Sequence, residues 1–156
     1  MISLLNHLKH SQGVGIDVCK KTLKNCRINL KKFKLENKCK LLLKSVDELN
    51  NIKFDLVVSN PPYIIRRDIK RLSKDIKRFE PTVALDGGND GLDVIKKVIY
   101  KSIKVLKLNG ILAIEIGNGQ YRAVRNLLIA NNFKEKFVIK DFGNNIRCIF
   151  STLLKK

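Results

Sequence analysis

Asn60-Pro61-Pro62-Tyr63 is the segment of this chain whose residue types and spacing point most directly to chemistry. Two consecutive prolines fix φ and remove two amide donors, so the turn is stiff and its carbonyls are left to accept hydrogen bonds. Asn60 adds a side-chain carbonyl. Two acceptors at a fixed spacing can hold both N–H bonds of an –NH2 group and turn its lone pair toward a methyl donor. Such pre-placed acceptors stabilise the positive charge that develops on an attacking nitrogen, and positioning supplies most of the remainder. The methylated nitrogen then becomes acidic enough to lose its proton, so the scheme needs no strong general base. Tyr63 supplies a flat ring against which a planar amide or base can pack. A bare N-P-P tripeptide is more often a rigid turn without chemistry. Here it follows an apolar strand ending in Ser59 and is followed by Tyr, which favours a functional loop.

The elements that must position this loop alternate between strand-like and helix-like runs. Met1 to His10 reads as helix-like. Gly13-Val14-Gly15-Ile16-Asp17 reads as a strand with an acidic end. From Cys19 to Glu36, Leu23, Cys26, Leu30 and Phe33 recur three or four apart, the spacing of an amphipathic helix. Lys38 to Leu43 reads as a strand. Phe54 to Ser59 is a nearly continuous apolar run of the kind found in parallel strands buried on both faces. A long irregular stretch runs from Asn60 to Asn89 and holds all three prolines; loops of that length are usually functional. A helix is expected from Gly91 to Lys107, with Asp90 as N-cap and Asp93 in the first turn, ended by Asn109-Gly110. Ile111 to Ile116 reads as a buried strand, and Gln120 to Asn131 as a helix with Val124, Leu127 and Leu128 inward. Lys134–Lys140 and Ile146–Leu153 read as two final strands. This alternation predicts an α/β fold with a mostly parallel sheet and helices on both faces. Ligands sit beyond the carboxyl ends of such strands, where Asp17 and Asn60 to Tyr63 both fall.

Bulk composition narrows the classes. A length of 156 residues suits one domain, and 44% hydrophobic residues argues against disorder. No apolar run reaches the roughly 18 residues of a membrane helix. Met1 to His10 lacks the apolar core of a signal peptide, so a cytoplasmic protein is the expectation. Cys19, Cys26, Cys39 and Cys148 have no metal-type spacing and read as small buried hydrophobes, so no metal site is expected. Thirty-two Lys and Arg against 14 Asp and Glu give a net charge of +18. Such a field suits proximity to nucleic acid or the ribosome. A lysine-rich coding bias spreading charge over every solvent face would read the same way. The basic residues are densest at Lys20–Lys40 and Arg66–Arg78.

Asp55-Leu56-Val57-Val58-Ser59-Asn60-Pro61-Pro62-Tyr63-Ile64 resembles the signature of amino-nitrogen methyltransferases, a group that includes adenine and protein glutamine methyltransferases. The block from Phe79-Glu80-Pro81 through Ala84-Leu85-Asp86-Gly87-Gly88-Asn89-Asp90-Gly91-Leu92 is more discriminating. It resembles the HemK/PrmC family, the peptide chain release factor N5-glutamine methyltransferases. Glu115-Ile116-Gly117 with Gln120, and Lys140-Asp141-Phe142 with Gly143 and Arg147, match the same family. The resemblance implies a Rossmann-like class I methyltransferase fold, S-adenosylmethionine as cofactor and a release factor as protein substrate. It implies that Asn60, Pro61, Pro62 and Tyr63 hold the target glutamine amide, with Asn60 also against the methyl donor. It implies that Asp17 accepts hydrogen bonds from the ribose hydroxyls, a role to which two carboxylate oxygens are suited. On its own, Asp17 reads equally well as a cap for the helix that follows. Glu80-Pro81 and Gly87-Gly88 would shape the substrate channel or serve a purely structural role.

The chain also departs from that pattern. The family carries a D-x-G-x-G-x-G loop after its first core strand, which cradles the methionine part of the cofactor, and an N-terminal helical recognition domain. Neither is present in residues 1–156, and Gly13-Val14-Gly15 lies inside a strand. No clear adenine contact stands at Lys44-Ser45-Val46; Asp47 is a weak substitute. The expectation is a single, partial catalytic domain over 1–156, lacking the first central strand and the glycine-rich loop and binding cofactor weakly or not at all by itself. Either the two neighbouring strands then pair directly, or another chain supplies the strand, or the chain is the product of a split or decaying gene. Two further readings stay open: a nucleic-acid adenine amino-methyltransferase, and a non-catalytic remnant that needs a partner chain.

Overall fold

In a computed structural model, which describes residues 1–49 and 52–155, the chain forms two compact units, Met1–Leu49 and Asn50–Lys156. The first unit begins with helix α1 (Ile2–His7), strand β1 (Gly13–Asp17), helix α2 (Lys20–Lys32) and strand β2 (Cys39–Leu43). β1 and β2 pair in parallel, from Gly13 opposite Cys39 to Asp17 opposite Leu43. Leu5, Leu30 and Leu35 form the core of this unit, with Ile2, Cys39 and Leu41 packed against them.

The helical pattern that began at Cys19 stops four residues before Glu36. Lys34 turns left-handed at φ 56°, and the Leu35 N–H closes the helix end on the Leu30 carbonyl at 2.9 Å. That turn sends Leu35 into the core. Phe33, expected inside, is half exposed instead.

The second unit contains β3 (Phe54–Ser59), α3 (Lys74–Phe79), α4 (Asp93–Val105), β4 (Leu106–Glu115), α5 (Tyr121–Ala130), β5 (Phe133–Lys140) and β6 (Ile146–Leu153). Its sheet has the order β3-β4-β6-β5. β3 and β4 are parallel, whereas β6 is antiparallel to both β4 and β5. The α/β architecture is as expected: parallel strands carry the site and an antiparallel hairpin closes one side. α4 packs on β3, β4 and α5, and α5 packs on β5 and β6. Ile95, Ile99, Leu112, Ile114, Val124, Leu128, Ile149 and Leu153 are all essentially inaccessible.

β1 and β3 each have one ladder neighbour among the described residues. The strand that the resembling family places beside both has no counterpart there. β3 therefore presents an open edge and is only half-buried, not covered on both faces; Val58 is 57% exposed.

Three local expectations are corrected. The stretch from Asn60 to Asn89 is not irregular throughout: it contains α3 and 3-10 turns at Arg66–Arg71 and Thr82–Ala84. Asp90 does not cap α4. Its carboxylate takes the Leu92 N–H at 2.9 Å and the Lys96 ammonium at 2.7 Å, a local turn before the helix. Finally, β4 begins at Leu106 rather than Ile111. Asn109, at φ 63°, sits in a bulge where the register jumps from Phe54–Leu106 to Leu56–Ile111.

Candidate active site

Asn60 leaves the end of β3 with an exposed side chain. Among the described residues its amide makes no hydrogen bond, and neither the Pro61 nor the Pro62 carbonyl accepts one. Since Pro61 is buried and both prolines have fixed φ, these acceptors are held on a stiff backbone.

Ile64 and Arg66 are fastened to the Leu85–Gly88 segment. The Ile64 N–H donates to the Leu85 carbonyl at 3.0 Å, the Gly87 N–H to Ile64 at 2.8 Å, and the Arg66 N–H to Gly88 at 2.9 Å. These bonds make an isolated parallel bridge between Ile64 and Asp86. Arg66 closes it from outside, its Nε 2.9 Å from Asp86 Oδ2, while the Gly88 N–H donates to Asp86 Oδ1 at 2.8 Å. Together, Arg66 first and the Gly88 amide second, they hold the Asp86 carboxyl below its ordinary range. This bracing is therefore complete above the unfolded carboxylate value and is lost only as pH falls through the lower folded one.

Close approach explains Gly87. A Cβ there would stand 2.8 Å from both Tyr63 Cα and the Gly91 carbonyl oxygen, and 2.9 Å from Gly91 Cα. All three are backbone atoms that cannot swing aside. A cavity of about 410 Å³, lined by Arg66, Thr82, Val83, Asp86, Asp93 and Lys97 among others, opens beside this staple.

Tyr63 is held at both ends. Gln120 donates through Nε2 to the Tyr63 carbonyl at 3.0 Å and to the Gly91 carbonyl at 3.1 Å, and its Oε1 accepts the Gly117 N–H at 2.8 Å. One side-chain amide thus ties three loops. At the other end, Arg147 donates to the Tyr63 hydroxyl at 2.8 Å, and that hydroxyl donates to Glu115 Oε1 at 3.3 Å. Arg147 also pairs with Glu115 at 3.4 Å, and its guanidinium lies 5.4 Å from the Tyr63 ring centroid. Glu115 ends β4 and Arg147 follows the first residue of β6, so the sheet itself aims the ring. The sequence marks Glu115, Gln120 and Arg147 as matching positions but assigns them no role; the structure makes them the brace of Tyr63.

Replacing Arg147 by Met should remove the phenol's donor and leave Glu115 half-buried without its cation. A loss of about 1–2 kcal/mol is expected for a bond to a charged group that is partly screened. Denaturant unfolding would measure it, with Arg147→Lys recovering part of the loss.

Asp17 lies in the first unit, at the end of β1. Its Oδ1 accepts the Cys19 N–H at 2.7 Å, which starts α2, and its second oxygen remains open to a further donor. Gly13 and Gly15 are not a cradle. A Cβ at Gly13 would meet Met1 Sδ at 2.8 Å, and one at Gly15 would meet Leu41 Cδ2 at 2.8 Å. Both serve close packing within a strand. Among the described residues no group of His, Cys, Asp or Glu is arranged to hold a metal ion, and no helix is long and apolar enough to cross a membrane.

The sequence profile of the Eco57I restriction-modification methylase family matches residues 2–146. The chain belongs to this methylase family. Within that family setting, the resemblance to release factor glutamine methyltransferases is borne out. The chain is 35% identical over 154 residues to the release factor glutamine methyltransferase of Clostridium acetobutylicum, covering 96% of this chain and 54% of that protein. It is 36% identical over 151 residues to the enzyme of the same name from Fusobacterium nucleatum, covering 96% and 43%. A ribosomal protein uL3 glutamine methyltransferase of Francisella tularensis is 36% identical over 107 residues, covering 68% and 34%. The chain thus spans about half the length of the first of these relatives. Among solved structures, TrmN from Thermus thermophilus superposes with a TM-score of 0.69 at 14% identity over 98% of this chain and 40% of that one. A methyltransferase from Pyrococcus furiosus gives 0.66 at 12% identity over 92% and 63%. The fold is that of class I methyltransferases, as expected.

Proposed function

We propose that this methylase chain carries the acceptor half of a glutamine methyltransferase site, acting on the side-chain amide nitrogen of a glutamine in a peptide chain release factor. One observation carries the reading: the Asn60 amide and the Pro61 carbonyl, on adjacent residues and without a hydrogen-bond partner among the described residues, belong to a loop that Gln120, Glu115 and Arg147 brace through Tyr63. In this reading Asn60 and Pro61 accept the two N–H bonds of the target amide, Pro62 keeps the turn stiff, and the Tyr63 ring packs against the amide plane. The two acceptors stabilise the charge that grows on nitrogen as the new N–C bond forms. The proton leaves to water afterwards.

S-adenosylmethionine, when bound, supplies an electrophilic methyl on a sulfonium sulfur. The residues present fit it in part. The open Asp17 oxygen suits a ribose hydroxyl, whereas residues 1–156 hold no glycine-rich loop for the methionine end. We therefore propose that both units belong to one catalytic domain, and that transfer requires a glycine-rich segment supplied in cis or by a partner chain. Working on a release factor would place the enzyme in the cytoplasm. The +18 charge would favour surroundings rich in nucleic acid, such as the ribosome.

Labelled S-adenosylmethionine and purified release factor test this. The 156-residue chain alone should incorporate no methyl. Adding a polypeptide with the upstream half of the Clostridium acetobutylicum relative should restore transfer. Transfer by the chain alone would refute the need for the segment; none from the folded mixture would count against the function itself. A second reading is methylation of a nucleic-acid adenine amine; the matching family is described as a restriction-modification methylase. An adenine-containing oligonucleotide in the same assay separates the two. Base methyltransferases must capture an unstacked base, and no recognition domain for one is visible in residues 1–156.

A further inference from the structure

We infer that the exposed face of α2 is a sequence-independent binding surface for the phosphate backbone of nucleic acid. The inference is independent of the acceptor loop, which lies in the other unit. Between Val18 and Leu35 the chain holds seven Lys or Arg and no Asp or Glu. On a helix with 3.6 residues per turn, Lys20, Lys24, Arg27 and Lys31 fall within an arc of roughly 60°, as a stripe about 16 Å long. All four are exposed.

The usual explanation of a charged helix face is a lattice of opposite charges at i,i+4. It does not hold here, since none of these four side chains forms an ion pair among the described residues. The contrast with the other basic stretch is direct. There, Arg66 pairs with Asp86, Arg71 with Asp68, and the Lys77 ammonium donates to the Lys70 carbonyl. On α2, Lys20 and Lys24, and likewise Arg27 and Lys31, are like charges one turn apart, a spacing that weakens a helix until an anion neutralises it.

Three features select the occupant. The apolar side of α2 is already used, with Leu23 and Leu30 buried, so the helix has no face left to insert into a lipid surface. Ile28 is the one exposed apolar side chain within Lys20–Lys32, and the exposed Val18 and Phe33 stand apart at its two ends, which leaves no continuous apolar centre of the kind a protein interface needs. What remains is a row of cations at near-regular spacing, suited to a row of phosphates whose counterions are released on binding.

Fluorescence anisotropy with a labelled 16-nucleotide oligouridylate, titrated over a range of NaCl, tests the inference on the full chain. Lys24→Gln/Arg27→Gln/Lys31→Gln should weaken binding about tenfold or more and make the logarithmic salt dependence shallower by about 2, since each contact to a single strand contributes near 0.7. A control triple in the other unit, Arg122→Gln/Lys134→Gln/Lys136→Gln, removes the same charge from exposed positions and should change affinity less than twofold. Lys24→Arg/Lys31→Arg should bind as the parent does. Circular dichroism confirms that each variant is folded. Equal weakening by both Gln triples would assign binding to net charge and overturn the inference. So would loss of binding in the Arg variant, absence of any RNA binding, or binding of a polyglutamate peptide as tight as that of the RNA.

Discussion

Asn60→Ala should lower methyl transfer by about 100- to 1,000-fold in the restored assay, the range found when one pre-placed donor or acceptor of a transition-state charge is removed. The size of the effect follows from where Asn60 stands. It projects from the end of β3 with its amide unspent, so truncation breaks no internal bond and the fold should keep its unfolding midpoint. The loss should therefore appear in turnover more than in substrate affinity, because the hydrogen bonds it removes strengthen as charge grows on the nitrogen. Steady-state kinetics checks this: an unchanged turnover in the variant would remove Asn60 from the chemistry, and a parallel fall in stability would make its role structural.

Gly87→Ala is the second large effect, and it acts through shape alone. The added methyl would lie 2.8–2.9 Å from backbone atoms of Tyr63 and Gly91, and the Gly87 N–H and carbonyl are both engaged, to Ile64 and Asp93. Neither strand of the staple can withdraw without breaking its hydrogen bonds. Overpacking of this kind costs about 2–3 kcal/mol. It should also uncouple Tyr63 from its brace, so transfer falls with stability. Gly119→Ala is the comparison: its φ of +78° imposes strain, but a Cβ there meets nothing within 4 Å. It should cost only about 1 kcal/mol and leave transfer nearly intact. Denaturant midpoints of the two variants, read beside their activities, decide between steric and conformational origins.

How much of this was legible in the sequence depends on the range of the interactions. β1 and β3 have the bounds that their apolar runs suggest, because each run is local and ends at a polar residue, Asp17 and Ser59; β6 also has its expected bounds. The acceptor loop is legible for the same reason: the stiffness of Pro61-Pro62 and the acceptor on Asn60 are properties of adjacent residues. Boundaries fail where a nearby group competes with the helix. The left-handed turn at Lys34 exchanges Phe33 for Leu35, and the Asp90 carboxylate holds Leu92 outside α4. The brace of Tyr63 is not legible at all from spacing. Glu115 and Arg147 lie 52 and 84 residues away along the chain, and only the pairing of Glu115 with Cys148 across β4 and β6 brings them together. Nor could composition show that, among the described residues, the cations of α2 form no ion pair while those after the acceptor loop are partly neutralised.

If the Asn60–Tyr63 loop holds a primary side-chain amide, it should do so without any cofactor. A short peptide containing one glutamine is titrated into isotope-labelled chain, beside an otherwise identical peptide with glutamate, whose carboxylate keeps the shape and loses both N–H donors. Chemical-shift changes centred on Asn60 and Tyr63 with the glutamine peptide, absent or at least tenfold weaker with the glutamate peptide, are the predicted result. Equal response to both peptides, or a glutamine response that avoids the loop, would contradict it.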